Sequence, residues 1–179
     1  MPNDPFDILG LEPRFGLAED QIERAYLTRI ASAHPDRADD APDLGRSADL
    51  NEARRTLLNP ERRAAALLAR LGGPDAAEDK SLPDGFLMEI METRNEIEQE
   101  LADDPSPRTR AKWQARAEQQ RRQYADRVSA LFDRAAPEPG DDPDPAALRE
   151  IRTMLNAWRY IERLIEQLDH DPARADFGP

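Results

Sequence analysis

The sequence predicts an all-α protein, and the placement of its prolines is the first observation that indicates this class. Sixteen prolines occur in 179 residues, and because proline interrupts helix interiors, the proline-free stretches are the helix candidates. No stretch alternates β-branched with polar residues as a half-buried strand would. Apolar residues recur instead at the three- and four-residue spacing of amphipathic helices. We therefore expect short helices in residues 1–73 and longer ones after them.

The proline-free stretches predict six helices in chain order. Four come early, at 14–34, 43–59, 61–73 and 84–104. Two longer ones follow, and the proline-rich loop between them fits an antiparallel pair; they cover 108–136 and 146–171. Four of these helices carry an apolar face predicted to be core: Ile22, Tyr26, Ile30 and Ala33; Phe86, Ile90, Ile97 and Leu101; Trp113, Ala117, Tyr124, Val128 and Leu131; Leu148, Ile151, Leu155, Trp158, Ile165 and Leu168.

Turn-forming residues between 72 and 83 divide the predicted helices into two groups. We expect an N-terminal domain at 1–73, a linker at 74–83 and a C-terminal three-helix bundle at 84–171. Residues 172–179 are expected to form a flexible tail.

Composition excludes several classes of function. The net charge of −12 argues against broad binding to nucleic acid or to an anionic membrane. The absence of cysteine rules out disulfides, thiolate metal ligands and a cysteine nucleophile. No stretch has the length of a membrane span, and the N-terminus lacks the pattern of a signal or transit peptide, so a soluble cytoplasmic protein is expected.

Catalytic and cofactor motifs are also missing from the sequence. No nucleophile–base pair and no glycine-rich phosphate loop occurs, so we expect neither enzymatic activity nor a cofactor. His170 stands between Asp169 and Asp171, but a lone histidine near a chain end is more typical of a solvated side chain than of a metal ligand. No metal site is therefore expected.

The tripeptide His34-Pro35-Asp36 is the first candidate binding motif. Pro35 ends the preceding helix and disfavours the α conformation at His34, which places His34 and Asp36 on a loop, where binding residues often lie. Taken alone, the tripeptide fits a solvated helix end with an incidental histidine better than it fits a binding site.

A second candidate is the helix predicted at 84–104. Leu87, Met88 and Met91 lie off the apolar face of this helix, so the core does not obviously need them. With Glu92 beside them, they would form an apolar patch with an acidic rim, a composition typical of an interface. Tyr160, off the face of the last helix, could join the patch. A wide core face with methionine as filler explains the same residues equally well.

The tripeptide does not stand alone, because several other segments occur in a familiar order. They are Asp4-Pro-Phe-Asp-Ile-Leu-Gly-Leu11, Ala25-Tyr26, Leu50-Asn-Glu-Ala53 and Thr56-Leu-Leu-Asn-Pro60. This ordered set resembles a J domain, a helical hairpin that presents a His-Pro-Asp loop. The resemblance implies that the chain docks on a DnaK-type chaperone and stimulates its ATP hydrolysis without being an ATPase itself.

The resemblance assigns the chaperone contact to His34, Pro35 and Asp36. J domains usually carry Lys or Arg on the helix before the tripeptide, but the corresponding positions hold Leu27, Thr28 and Ser32. Electrostatic docking is therefore expected to be weaker here. The basic residues that remain near the tripeptide are Arg24, Arg29 and Arg37, and further charge could come from Arg54, Arg55, Arg62 and Arg63.

The rest of the chain narrows the resemblance. Asn59-Pro-Glu-Arg-Arg-Ala64, Leu67-Leu68, Gly72 and Phe86-Leu-Met-Glu-Ile-Met-Glu92 are similar to the HscB (Jac) co-chaperone family over nearly the whole chain. That family implies a client, the iron–sulfur scaffold protein IscU, and a partner that is HscA or the general DnaK-type chaperone.

The HscB resemblance also implies the residues that hold the scaffold. They are Leu87, Met88, Met91 and Glu92, while the next two acidic positions of the family hold Asn95 and Gln99 here. Two other hypotheses stay open from the residues: a J-domain co-chaperone with a different client, and a helical interaction protein outside the chaperone system.

Overall fold

The computed structural model describes residues 4–32, 44–135 and 142–169, and its regular secondary structure there is entirely helical. The all-α prediction is confirmed. The helices are α1 (Pro5–Leu9), α2 (Glu19–Ser32), α3 (Leu44–Leu58), α4 (Pro60–Arg70), α5 (Phe86–Asp103), α6 (Pro107–Ala135) and α7 (Pro145–Asp169). Within these ranges, none of the helices has the length and apolar character needed to cross a membrane.

Helix α1 is the element that the sequence pattern does not predict. The Asp4 side chain accepts a hydrogen bond from the Phe6 N–H at 2.9 Å, and Pro5 occupies the first turn. Gly10 closes the helix with a left-handed φ of 67°, which glycine adopts without steric cost. Five residues are too few to show helical periodicity, although Phe6 and Leu9 are both buried.

Helix α2 begins later than predicted. Residues 14–18 are not helical. Leu17 turns back on Phe15 through a backbone hydrogen bond of 2.9 Å, and the Gln21 side chain accepts from the Ala18 N–H at 3.1 Å. This turn buries Leu17 in the core. The apolar residues of 14–18 therefore pack as a loop and not as a helix face.

The predicted helix faces lie inside the protein. Ile22, Phe86, Ile90, Ile97, both tryptophans and all six residues of the α7 face are buried. Leu101, Tyr26, Ile30 and Tyr124 are half-buried at the edges of their faces, and Ala33 lies outside the described residues. The interpretation of Trp113 and Trp158 as core residues is confirmed.

Two hydrophobic clusters form the interior. One joins α5 to the adjoining parts of α6 and α7 around Trp113, Ile161 and Leu164. The other contains the buried residues of α1 to α4 together with Val128 and Phe132 of α6 and several residues of α7, Trp158 among them. The second cluster thus continues from the N-terminal helices into the long helices.

Polar contacts also connect the N-terminal helices and the linker to α7. Asn156 donates through Nδ2 to the backbone oxygens of Asp79 and Ser81 at 2.9 and 3.0 Å, so it attaches the predicted linker to α7. The Arg159 guanidinium lies 3.5 Å from the Glu61 carboxylate of α4. The division at 74–83 stays a prediction about folding units.

Candidate partner-binding surfaces

Three large apolar side chains of α5 project into solvent. Leu87, Met88 and Met91 are 52%, 69% and 63% exposed, although Phe86 and Ile90, their neighbours in sequence, are buried. We call these three residues the α5 patch. The core of the described residues does not use them, so the alternative of a wide core face with methionine as filler is wrong.

The rim of the α5 patch is acidic. Helix α5 contains six carboxylate residues and one arginine. Glu92 follows Met88 by one helical turn and Asn95 follows Met91 by one turn, and both side chains are exposed. Within the described residues, Glu92 has no ion-pair partner. An apolar centre with a free carboxylate beside it favours a partner that is apolar and basic.

Other carboxylates of α5 are engaged by α6. Glu100 binds Lys112 at 2.7 Å and also accepts a hydrogen bond from the Trp113 indole at 3.0 Å. The Lys112 ammonium holds the pKa of Glu100 below its usual range. Glu96 lies 3.7 Å from Arg116. These acids hold α5 against α6 and are less available to a partner than Glu92.

Aromatic rings of α6 and α7 hold the start of α5, immediately before the α5 patch. Phe86, which precedes Leu87, packs edge-on against Tyr160 of α7 at 5.6 Å between centroids and against Tyr124 of α6 at 6.5 Å. Tyr160 is half-buried and contacts Phe86, the residue before Leu87, while its place in the α5 patch stays a prediction. Tyr124 was predicted as core only, yet it is half-buried too.

Tyr124 of α6 lies at the edge of the core, beside Phe86 at the start of α5. Burial raises the pKa of the Tyr124 hydroxyl, and the nearby Glu89 carboxylate raises it further, whereas Arg127 opposes the shift. The hydroxyl is thus close to charges from both α5 and α6. The tyrosine side chain itself was the sequence signal that this position lies at the edge of the core, because its hydroxyl group needs a hydrogen-bond partner or contact with water.

The second surface is the exposed side of α2. His34, Pro35, Asp36 and Arg37 lie outside the described residues. Arg24 is exposed and forms an ion pair with Asp20 at 2.7 Å, one helical turn away. Arg29 extends toward α1, where its Nε lies 3.4 Å from the Leu9 carbonyl oxygen. Both predicted chaperone-binding arginines of α2 are therefore engaged within the chain.

The additional basic residues of α3 and α4 are used differently. Arg54 binds both oxygens of Glu23 at 2.6 to 3.0 Å, and this contact lowers the pKa of Glu23. Arg55 pairs with Glu52, and Arg62 is exposed. Arg63 is buried and donates to the backbone oxygens of Leu17 and Leu57 at 3.0 Å each.

The suggestion that Arg63 supplies surface charge is therefore wrong. The spacing of residues along α4 did not predict this burial. The two carbonyl groups that the guanidinium satisfies belong to Leu17, in the loop before α2, and to Leu57, near the end of α3. As for metal binding, no cluster of three or more ligand side chains occurs in 4–32, 44–135 or 142–169. His170 is outside those ranges.

Comparison with known families assigns both parts of the chain. Residues 4–66 match the DnaJ domain, and residues 82–169 match the HSCB C-terminal oligomerisation domain. A co-chaperone protein HscB homolog from Cupriavidus taiwanensis is 31% identical and aligns with 98% of this chain and 94% of its own length. The HscB homolog of Bordetella pertussis is also 31% identical, over 93% of this chain and 94% of the relative.

Solved structures share the fold. The Vibrio cholerae chaperone HscB superimposes with a TM-score of 0.73 over 93% of this chain and 95% of its own, at 20% identity. The human co-chaperone protein HscB gives a TM-score of 0.72 over 93% of this chain and 80% of its own, at 21% identity. At these identities, the similarity concerns the arrangement of helices.

Proposed function

This chain belongs to the HscB family of J-domain co-chaperones, which act in iron–sulfur cluster assembly, and we propose that it brings an IscU-type scaffold protein to a DnaK- or HscA-type ATPase chaperone. The chain itself catalyses no reaction and needs no cofactor or metal. It raises the rate at which the chaperone hydrolyses ATP. Its place of action in this proposal is the cytoplasm.

The observation that carries the client half of the proposal is the exposure of Leu87, Met88 and Met91. Exposed apolar area on one helix is a cost to a monomer that a bound partner removes. Methionine adapts its shape to an irregular partner surface, and Glu92 with Asn95 extends the contact with polar groups. Tyr160 completes the surface from α7.

The chaperone half is assigned to the tripeptide His34-Pro35-Asp36, with Arg24, Arg29 and Arg37 around it. The segment that matches the DnaJ domain, 4–66, contains all six residues. Arg24 and Arg29 already have partners within the chain, so a chaperone gains less from them than from unpaired cations. We therefore assign the larger share of the contact to the tripeptide.

The packing between the N-terminal helices and the long helices couples client binding on α5 to chaperone binding at the tripeptide. The cluster that joins α1 to α4 with α6 and α7 holds the helix preceding the tripeptide at a fixed position relative to the long helices. A client on α5 then meets the chaperone at a raised effective concentration without a separate search.

The experiment uses the full chain, purified IscU-type scaffold and purified chaperone. His34→Gln is expected to abolish ATPase stimulation and leave scaffold binding by calorimetry unchanged. The triple change Leu87→Ala, Met88→Ala and Met91→Ala is expected to weaken scaffold binding by at least tenfold, about 1.4 kcal/mol, and leave stimulation without scaffold intact.

Each variant controls for the folding of the other. Loss of both activities in both variants contradicts the division into two surfaces. Stimulation by the wild type without scaffold binding identifies a co-chaperone with another client. Failure of the wild type to stimulate any DnaK- or HscA-type chaperone refutes the chaperone assignment.

A further inference from the structure

Arg152 is a buried cation of α7 that no carboxylate contacts directly. It is 5% exposed, and its Nε is buried without a hydrogen-bond partner. Within residues 4–32, 44–135 and 142–169, no carboxylate lies within ion-pair distance of its guanidinium. A charge that is removed from water without such a partner is costly to the folded state. Its surroundings must therefore compensate this charge from a greater distance.

The compensating charges come from two other parts of the chain. Burial lowers the pKa of the Arg152 guanidinium, and the neighbouring cation of Arg159 lowers it further. Carboxylates of α4 and of the predicted linker oppose this lowering; they belong to Glu61, Asp75 and Asp79. Because Coulomb energy falls only gradually with distance, these carboxylates stabilise the cation without an ion pair. The charge is thus balanced only while α4 and the linker keep their places beside α7.

Direct contacts show that α4 and the linker lie on the same side of α7 as Arg152. Asn156, one helical turn after Arg152, donates to two backbone oxygens of the linker. Arg159, two turns after Arg152, lies 3.5 Å from the carboxylate of Glu61. Residues at this spacing share one face of a helix. Arg152 therefore lies on the face where the N-terminal helices, the linker and α7 meet.

The linker orients its own carboxylates. Asp75 accepts a hydrogen bond from the Ala77 N–H at 2.7 Å, and Asp79 accepts one from the Ser81 N–H at 2.9 Å. Each carboxylate stabilises a local turn. Their positions relative to Arg152 therefore depend on where the whole linker lies against α7.

We propose that Arg152 is a positioning residue, which fixes the orientation of the N-terminal helices and the linker against α7. A rotation or a slide of α4 or of the linker takes carboxylates away from a charge that stays buried, so the free energy rises although no bond to Arg152 breaks. An apolar side chain in the same space would pack equally well, but it would not distinguish the correct orientation from a shifted one.

The orientation matters for coupling. A constant separation between the α5 patch and the tripeptide is what gives a bound client its raised effective concentration at the chaperone. Without Arg152, each surface keeps its own residues, but the separation between the surfaces varies. This consequence rests on the proposed function, whereas the orienting role itself is a property of the isolated chain.

A distance measurement on the full chain tests the orienting role. The chain has no cysteine, so Glu12→Cys and Gln119→Cys provide two unique sites for spin labels. Both positions are exposed, one in the loop after α1 and the other on α6. Electron-electron double resonance is expected to give one narrow distance distribution for the chain with Arg152 present. Arg152→Met is expected to widen that distribution at least about twofold.

Two further variants serve as the control and as the converse test. Arg149→Met removes an exposed cation one turn before Arg152 and is expected to leave the distribution unchanged. Asp75→Asn combined with Asp79→Asn keeps the acceptor oxygens of both turns but removes their charges. This pair is expected to widen the distribution and to lower the thermal midpoint, and adding Arg152→Met is expected to restore the midpoint.

The functional readout uses purified DnaK- or HscA-type chaperone with and without IscU-type scaffold. Arg152→Met is expected to reduce the extra ATPase stimulation that the scaffold adds by about threefold. Scaffold affinity by calorimetry and stimulation without scaffold should stay within about twofold of the wild type. The thermal midpoint should not fall, whereas a merely structural role would lower the midpoint and both separate activities.

Four results would overturn all or part of the inference. A distribution that Arg152→Met leaves unchanged, or that Arg149→Met widens equally, refutes the orienting role. A midpoint of Arg152→Met well below the wild type assigns Arg152 to packing. An unchanged distribution in the paired asparagine variant shows that the linker charges do not act on Arg152. A widened distribution with undiminished extra stimulation refutes the link to coupling alone; if the wild type does not stimulate the chaperone, the proposed function fails while the distance result stands.

Discussion

Replacing Phe132 with alanine is expected to destabilise the N-terminal helices and the long helices together. Phe132 belongs to α6 and is 7% exposed. Its ring lies 5.9 Å from the ring of Phe15, which precedes α2. With Leu67 of α4 and Leu71, which follows α4, both rings line a cavity of about 320 Å³ that opens to solvent. One side chain thus contacts both parts of the chain.

The packing of the Phe132 ring determines how much unfolding free energy the substitution removes. Truncating a buried phenylalanine costs about 3–5 kcal/mol. Phe132 borders an open cavity, so water fills part of the space that alanine leaves, and we expect the lower end, about 3 kcal/mol. With a urea dependence of about 2 kcal/mol per M, the unfolding midpoint falls by about 1.5 M.

The assay compares two probes of urea unfolding. Tryptophan fluorescence reports on the long helices through Trp113 and Trp158, both buried. Hydrogen exchange of α1 and α4 amides reports on the N-terminal helices. Ile161→Ala serves as the control, because Ile161 belongs to the other cluster, between α5, α6 and α7.

If the N-terminal helices and the long helices share one core, Phe132→Ala lowers the transition seen by tryptophan fluorescence and the one seen by hydrogen exchange by similar amounts. The reasoning is refuted if the tryptophan transition moves while exchange in α1 and α4 stays at the wild-type level. In that case the two parts unfold independently, and their contact contributes little to the stability of the N-terminal helices.

Two further predictions concern α7. Burial raises the pKa of Glu162, whose carboxylate accepts a hydrogen bond from the Trp158 indole at 2.7 Å. A raised carboxyl pKa in the folded state means that stability is lost as the pH rises above the ordinary value of 4.5. Glu162→Gln keeps the acceptor, so thermal unfolding should show a higher midpoint than the wild type at pH 7 and no such gain at pH 4; a gain of equal size at both pH values contradicts the pKa argument. Asn156→Ala removes the donors to the Asp79 and Ser81 carbonyls and is expected to cost about 1 kcal/mol and to speed proteolysis within 74–83; a proteolysis rate equal to that of the wild type would show that Asn156 does not hold the linker.

Local sequence features determined much of this protein. The prolines and the apolar spacing predicted α5, α6 and α7 to within about two residues at each end, because caps, proline and amphipathic faces act over single turns. Leu87, Met88 and Met91 were recognised as lying off the core face from helical angles alone. These features depend on neighbours a few residues apart, so the sequence contains them directly.

Tertiary packing decided the rest. Arg63 is buried because carbonyl oxygens from residues 17 and 57 converge on it, and Arg24 and Arg29 have different partners despite their similar settings on α2. The cluster that α1 to α4 share with α6 and α7 likewise joins residues more than a hundred positions apart. Helical periodicity specifies which side of a helix is apolar, but the element that covers it depends on how whole helices pack, and that choice minimises the free energy of the entire chain.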